Sequence, residues 1–400
     1  MPRSNWRVQR QTKPLPVGWR NTHTASRVTS VLRPREHDLL LQCARTTVNA
    51  APAETLRELL REPLDWPTVA QVANQQGMLP LLYNSLQSLC PNTVPDPVLS
   101  QLRRQFLVTA RRNAQLTHAL LDILRRFEAR GIPALPYKGP ALAVSAYGTI
   151  ALRQFGDLDI LVRPQDASRA KVLLVEQGYR SWRRLSQPQN TAHVHFSRMH
   201  ELVHEEQQIF VGLHWALISW PIFIPFDLAP LWQRLLPVTL LDTTVHTLPP
   251  EEMLLFLCLH GVKHLWERLL WLCDVAALLR APAHIDWPGL LARADRQGCA
   301  RMFLLGLHLA MQVLGANLPD AVRQRIHADR ALPPLTRRLQ ALLLAEPGAQ
   351  RSVVDQPAIY LRLRERVWDK VLFGLYFLYH QMPLPTQNGV RLLLAKRGEG

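Results

Sequence analysis

The sequence predicts an α+β fold in which a small mixed β-sheet core is flanked by N- and C-terminal helical regions. Two observations predict it. Most of the chain places apolar residues at helical spacing, whereas residues 131–217 switch to short extended or alternating runs punctuated by glycine and proline. No repeat with a fixed period appears, which excludes a solenoid.

Taken in order, residues 1–36 show no periodicity and read as a basic flexible arm. It carries eight Lys/Arg against Glu36 alone, supplying +7 of the chain's formal +16. A positive field of this kind favours polyanionic partners, nucleotides or nucleic acid, without naming one. Residues 37–130 form an N-terminal helical region. Leu39, Leu40, Cys43 and Ala44 fall on one face; Thr68–Gln76 and Leu81–Leu89 give two helices around Gly77 and Pro80; a long helix covers Val98–Arg130 and stops at Gly131.

Residues 131–217 are the α/β core. Pro133 and Pro136 make Ile132–Tyr137 extended. Pro140 suits the first turn of a helix running from Gly139 to Tyr147. Asp157–Val162 alternates, with Asp157, Asp159 and Leu161 on one face and Leu158, Ile160 and Val162 on the other, so a strand with one apolar face is expected. Asp166 is read as the cap of a helix over Ala167–Gln177. Tyr179–Arg184, Glu201–His204 and Ile209–Trp215 are further strands in a mostly antiparallel run, with Glu205 and Glu206 in a turn. Residues 218–250 read as a linker. Residues 251–400 form the C-terminal helical region, with helices expected at Glu251–Leu279, Trp287–Gln297, Met302–Leu314, Leu335–Ala345 and Ala358–Tyr379.

No apolar stretch reaches the roughly 18 residues of a membrane span, and no membrane partner is expected. The N-terminus lacks the apolar run of a signal peptide. The five cysteines are scattered, with no CxxC pair, and read as reduced core thiols of a cytoplasmic protein.

The chemistry concentrates between Tyr137 and Val162. Two acids at i and i+2 on a strand point the same way and can share one divalent cation or bridge two, the arrangement that phosphoryl and nucleotidyl transfer require. Gly139 lies where a strand turns into a helix, and helix-start N–H groups bind phosphate oxygens. Lys138 and Arg153 can add charge-assisted contacts, and Gly156 leads directly into the acid pair.

Lys138-Gly139, Tyr147, Arg153 and Gly156-Asp157-Leu158-Asp159-Ile160-Leu161-Val162 together resemble the uncharacterised nucleotidyltransferase family of bacteria, a branch of the DNA polymerase β-like superfamily. Leu213-His214-Trp215 resembles the family's next strand. His260, Lys263-His264, Trp266, Leu269 and Cys273-Asp274 resemble its following helix. The resemblance spans about residues 40–390 and is strongest over 131–280. It implies an NTP donor, Mg²⁺ or Mn²⁺ on Asp157 and Asp159, nucleotide contacts from Lys138, Gly139, Arg153 and Gly156, and an acceptor it does not name (small molecule, protein or RNA). Two departures stand out. Pro140 removes one N–H from the glycine turn. Gly212 stands where relatives carry a third acid before Leu-His-Trp. Glu201 is a substitute if its side chain faces the pair. The alternative reading is a catalytically weakened nucleotidyltransferase fold that binds a nucleotide or a partner.

Among further candidates, His214, His260, Lys263 and His264 are auxiliary site residues. His260 and His264, four apart on one helix face, lack a third ligand and read as lining the cleft. Asp274 is expected to have a structural role. His193, His195, His200 and His204 read as surface or cleft residues. Trp215, Trp220, Trp232, Trp266 and Trp271 read as core. Arg103-Arg104, Arg111-Arg112 and Arg125-Arg126 form either a solvated face or an approach for an acidic partner.

Overall fold

The computed structural model describes residues 32–46, 53–183, 194, 197–219, 222, 224, 228–281, 284–344 and 357–381. Most of the basic arm, with His193, His195 and Trp220, lies outside these residues. The fold is α+β, with a five-stranded mixed sheet, a separate two-stranded sheet and fifteen α-helices among the described residues.

The N-terminal region contributes α1 (Pro34–Thr46), α2 (Ala53–Leu59), α3 (Trp66–Gln75), α4 (Leu79–Leu89) and the long α5 (Asp96–Ala129). The last residues assigned to the arm do not belong to a free arm. Glu36 is buried and accepts from the Arg33 backbone and side chain and from Asp65 N–H, which ties the start of α1 to the loop before α3. Gly131 ends α5 as expected. Its φ is +63°, its N–H bonds to Glu128 O, and Ile132 N–H bonds to Phe127 O.

The large sheet has the order β1-β2-β5-β4-β3, with β1 (Ala134–Pro136), β2 (Asp157–Val162), β3 (Arg180–Ser181), β4 (Met199–His204) and β5 (Ile209–His214). β2 and β5 run parallel and every other pair is antiparallel. Leu158, Ile160, Val162, Leu202, Val211 and Leu213 form its apolar face. This face packs against Leu116, Leu120, Ile123 and Phe127 of α5 and Ala167, Ala170 and Leu174 of α7 (Ala167–Glu176). α6 (Gly139–Tyr147) joins β1 to the loop before β2. Asp166 does not cap α7. Its backbone is helical and its side chain accepts from Arg169 instead.

The segment expected as a linker carries a β-hairpin, β6 (Leu236–Leu240) and β7 (Thr243–Thr247). Thr247 Oγ1 donates to Pro136 O at 2.7 Å and so pins the hairpin to β1. The alternation of β7 is short, with Thr244 and His246 exposed, and β6 opens on an exposed leucine and proline, which hid the hairpin.

The helix expected over Glu251–Leu279 is two helices, α8 (Pro250–Lys263) and α9 (Leu269–Arg280). Leu265 and Trp266 between them adopt φ of +50° and +54°. The break turns the Trp266 ring back beneath α8. A Cβ on Gly261 would lie 2.5 Å from that ring, and one on Gly306 would lie 3.0 Å from it. Burial of the largest apolar side chain therefore overrides helical periodicity here. The C-terminal region continues with α10 (Trp287–Gln297), α11 (Ala300–Leu314), α12 (Asp320–Ala328) and α13 (Leu332–Leu344). Ala358–Tyr379 likewise divides, into α14 (Pro357–Leu363) and α15 (Val367–Gln381).

The two helical regions share one core. Leu39, Cys43 and Met78 belong to the same buried cluster as Phe256, Cys273 and Phe303. Arg45 Nε donates to Val313 O, and Gln76 caps the start of α9 through Leu269 N–H. Of the five tryptophans expected in the core, Trp266 is fully buried, while Trp215, Trp232 and Trp271 are partly buried against the two clusters. All five cysteines are free and buried. No helix among the described residues is long and apolar enough to cross a membrane.

Candidate functional site

The site lies on the polar face of the large sheet, opposite α5 and α7. The alternation of β2 brings Asp157 and Asp159 to this face, and register brings their neighbours. Asp159 pairs with Gly212 on β5, and Gly212 pairs with Glu201 on β4, so the three share one cross-strand row. Asp157 reaches the surface, whereas Asp159 is buried.

Asp159 is held on both oxygens. His214 Nε2 lies 2.8 Å from Oδ1 and Lys138 Nζ 3.1 Å from Oδ2. Burial by itself would raise the Asp159 pKa, but the Lys138 ammonium and the His214 hydrogen bond outweigh it and hold the carboxyl well below its ordinary range. Asp157 moves the other way. Crowding around its carboxylate and then the Asp159 charge raise its pKa, against Lys138, Arg153 and Arg268. The pKa values of the two acids are thus driven apart at one site.

Lys138 ends the turn from β1 into α6. Its ammonium lies 5.3 Å from the Phe256 ring centroid and 5.7 Å from that of Tyr137. Tyr137 also meets His214 edge-on at 5.6 Å, which steadies the imidazole. Gly139 has φ +52° and stacks against the backbone of Asp157. A side chain would be strained here, so the helix start stays bare beside the acids. Pro140 takes its place in the first turn of α6. Gly156 stands immediately before β2 and is half-buried.

Arg153 is placed differently from the phosphate contact expected of it. It is buried, and its Nε and Nη2 fork onto Asp274 at 2.8 and 2.9 Å, with Tyr147 OH donating to the same carboxylate at 2.9 Å. Asn113 completes the support by donating to Ile150 O and Arg153 O. Tyr147, Arg153 and Asp274 thus form one buried brace that fixes the loop leading into Asp157. Asp274 has the structural role expected of it.

The break between α8 and α9 supplies the opposite wall. Lys263 donates to Ser219 Oγ at 3.0 Å, and burial followed by Lys138 lowers its pKa to about 8. Arg268 lies within electrostatic reach of Asp157. The rings of His260, His264 and Trp271 pack together at 4.7–5.3 Å, and His260 stacks on Phe256. Burial, then Lys138, pushes the His260 pKa well below its usual value, so it is neutral. Glu201 faces the acid pair as its register requires, and its carboxylate takes the Arg183 guanidinium. Glu205 and Glu206 lie in the β4–β5 turn. Arg112 is committed to Gln208 O and Arg125 to Asp122, while Arg103, Arg104, Arg111 and Arg126 are exposed on α5. No group of three His, Cys, Asp or Glu that could hold a metal occurs among the described residues.

Sequence reasoning missed Arg268, Phe256 and Ser219. Arg268 had a faint signal as one of two charged residues, with Glu267, in the otherwise apolar stretch 265–273. Phe256 and Ser219 had none, because each meets a site lysine only through tertiary packing.

A mixed sheet here aligns two acids beside a glycine-led helix start, with lysines around them. The chain matches the model of the family described as uncharacterised nucleotidyltransferase over residues 62–315, and it belongs to that family. No curated protein and no solved structure matches the chain.

Proposed function

We propose that the protein moves NMP from an NTP to an acceptor, with Mg²⁺ or Mn²⁺ held by Asp157 and Asp159, as a branch of the DNA polymerase β-like superfamily. The observation that carries this reading is the acid pair on one face of β2, set between the bare start of α6 and the cations Lys138, Lys263 and Arg268. The residues suit a hard cation, since Mg²⁺ is ordinarily bound by one or two carboxylates and completes its shell with water and phosphate. When bound, such a cation neutralises charge on the triphosphate and activates the attacking oxygen.

The chain's own groups do the rest. Backbone N–H groups at the start of α6 receive phosphate oxygens. Lys138 exchanges its contact with Asp159 for the phosphates, and Lys263 and Arg268 approach them from the other wall. The Arg153–Asp274 brace keeps Asp157 in place, so its contribution to nucleotide binding is indirect. His260 lines the cleft as a neutral ring with His264 packed against it. The acceptor is a small molecule, a protein or RNA. The basic arm is the part we assign to any nucleic-acid contact, and the free thiols favour the cytoplasm.

One observation favours a second reading, a nucleotidyltransferase fold that binds a nucleotide or partner without turnover. The row beside Asp159 carries Gly212 in place of an acid, and Glu201 is already engaged by Arg183. Incubation with α-labelled NTPs and Mg²⁺ or Mn²⁺, using Asp157→Asn as control, separates the two. Label transfer that is lost in the control supports the enzyme. Metal-dependent binding without transfer to any acceptor supports the second reading. Equal absence of binding in both proteins overturns both.

A further inference from the structure

Gly212 does more than omit a carboxylate. A Cβ at this position would lie 2.7 Å from Asp159 Oδ1 and 2.7 Å from His214 Nε2. The hydrogen bond between those two groups therefore passes directly over Gly212. His214, two residues along the same strand and on the same face, leans into space that only a glycine leaves open, and the edge-on Tyr137 ring holds it there. Glycine and histidine act here as one device.

A two-cation site needs bridging carboxylate oxygens and a further acid, with the cations about 3.5–4 Å apart. His214 takes Oδ1 of Asp159, so once Lys138 moves to the phosphates only Oδ2 is left for a cation. Glu201, the next acid in the row, has both oxygens on Arg183.

We infer that the site holds a single divalent cation, with His214 over Gly212 filling the place of a third carboxylate and Lys138, on the phosphates, supplying the positive charge of a second cation. This rests on the nucleotidyltransferase reading above. His214 is then a positioning residue that sets which oxygens of Asp159 remain for the cation.

The test is a count of Mn²⁺ by electron paramagnetic resonance on the full chain saturated with a non-hydrolysable α,β-methylene NTP. One Mn²⁺ per chain is expected. Two would overturn the inference and leave the nucleotidyltransferase reading standing. No bound Mn²⁺ and no bound nucleotide would overturn both. The double variant Gly212→Asp/His214→Ala opens the space and adds the acid, so it is expected to bind two Mn²⁺, with circular dichroism confirming its fold. A folded double variant that still binds one would overturn the assignment of the count to Gly212 and His214. Gly212→Asp alone should lower the thermal midpoint without adding a second Mn²⁺, because the new Cβ meets two side chains already in contact.

Discussion

Replacing Asp274 by alanine removes the one acceptor shared by two N–H groups of Arg153 and the hydroxyl of Tyr147. Arg153 and Asp274 are both buried, so the guanidinium left behind cannot be rehydrated without opening the core. Breaking a buried pair by removing one partner costs roughly 3–5 kcal/mol. Against a typical total of about 5–15 kcal/mol, that is roughly a fifth or more of the stability of an ordinary domain. Urea unfolding followed by circular dichroism and tryptophan fluorescence measures it. Asp274→Asn retains one acceptor oxygen and should lose less than Asp274→Ala. Arg153→Met/Asp274→Leu, which leaves no orphaned charge, should recover most of the loss, since well-packed apolar replacement of a buried pair is often close to neutral. A loss below about 1 kcal/mol for Asp274→Ala, the range of an exposed pair, would refute the brace as the element that fixes the loop before Asp157. A double variant no more stable than the single would refute the orphaned-charge argument.

Gly139→Ala should cost about 1–2 kcal/mol from the left-handed backbone alone and weaken NTP binding, checked by urea unfolding and by titration with a fluorescent NTP analogue. In the proposed nucleotide reading Lys263 binds phosphate only when protonated, and its lowered pKa lies at about 8. NTP affinity should therefore fall as pH rises through that value, and Lys263→Arg should flatten the profile between pH 7 and 9 in isothermal titration. Gly261→Ala drives a methyl into the Trp266 ring and should cost roughly 1–3 kcal/mol by overpacking, seen as a lower thermal midpoint. The five cysteines are buried and burial raises the pKa of each thiol, so a thiol-specific disulfide reagent should label none rapidly in the native protein and all five after denaturation.

Much of the site was legible because it is local. Asp157 and Asp159 share a face through the two-residue period of a strand, whatever surrounds them. Gly131 and Gly139 adopt positive φ where the sequence places helix ends and starts, since backbone conformation follows from residue type at such points. The core strands and α6 fall where alternation and proline put them. What was not legible depends on contacts distant in sequence. The role of Arg153 changed from phosphate ligand to brace because Asp274, 121 residues away, reaches it. The α8–α9 break is invisible to periodicity because a tryptophan seeking burial, with Gly261 and Gly306 making room, overrides an unbroken apolar pattern.

The sequence by itself determined an α+β protein with two acids on a strand after a lysine-glycine turn, and the family resemblance singled out the glycine at 212. Only the tertiary structure decided what that glycine means. Register sets Gly212 beside Asp159, and the absent Cβ is where His214 crosses to the carboxylate. Strand pairing and side-chain reach across the sheet are not encoded in the spacing along one strand, so the chain had to fold before His214, Lys138 and Arg268 could be placed around the acid pair.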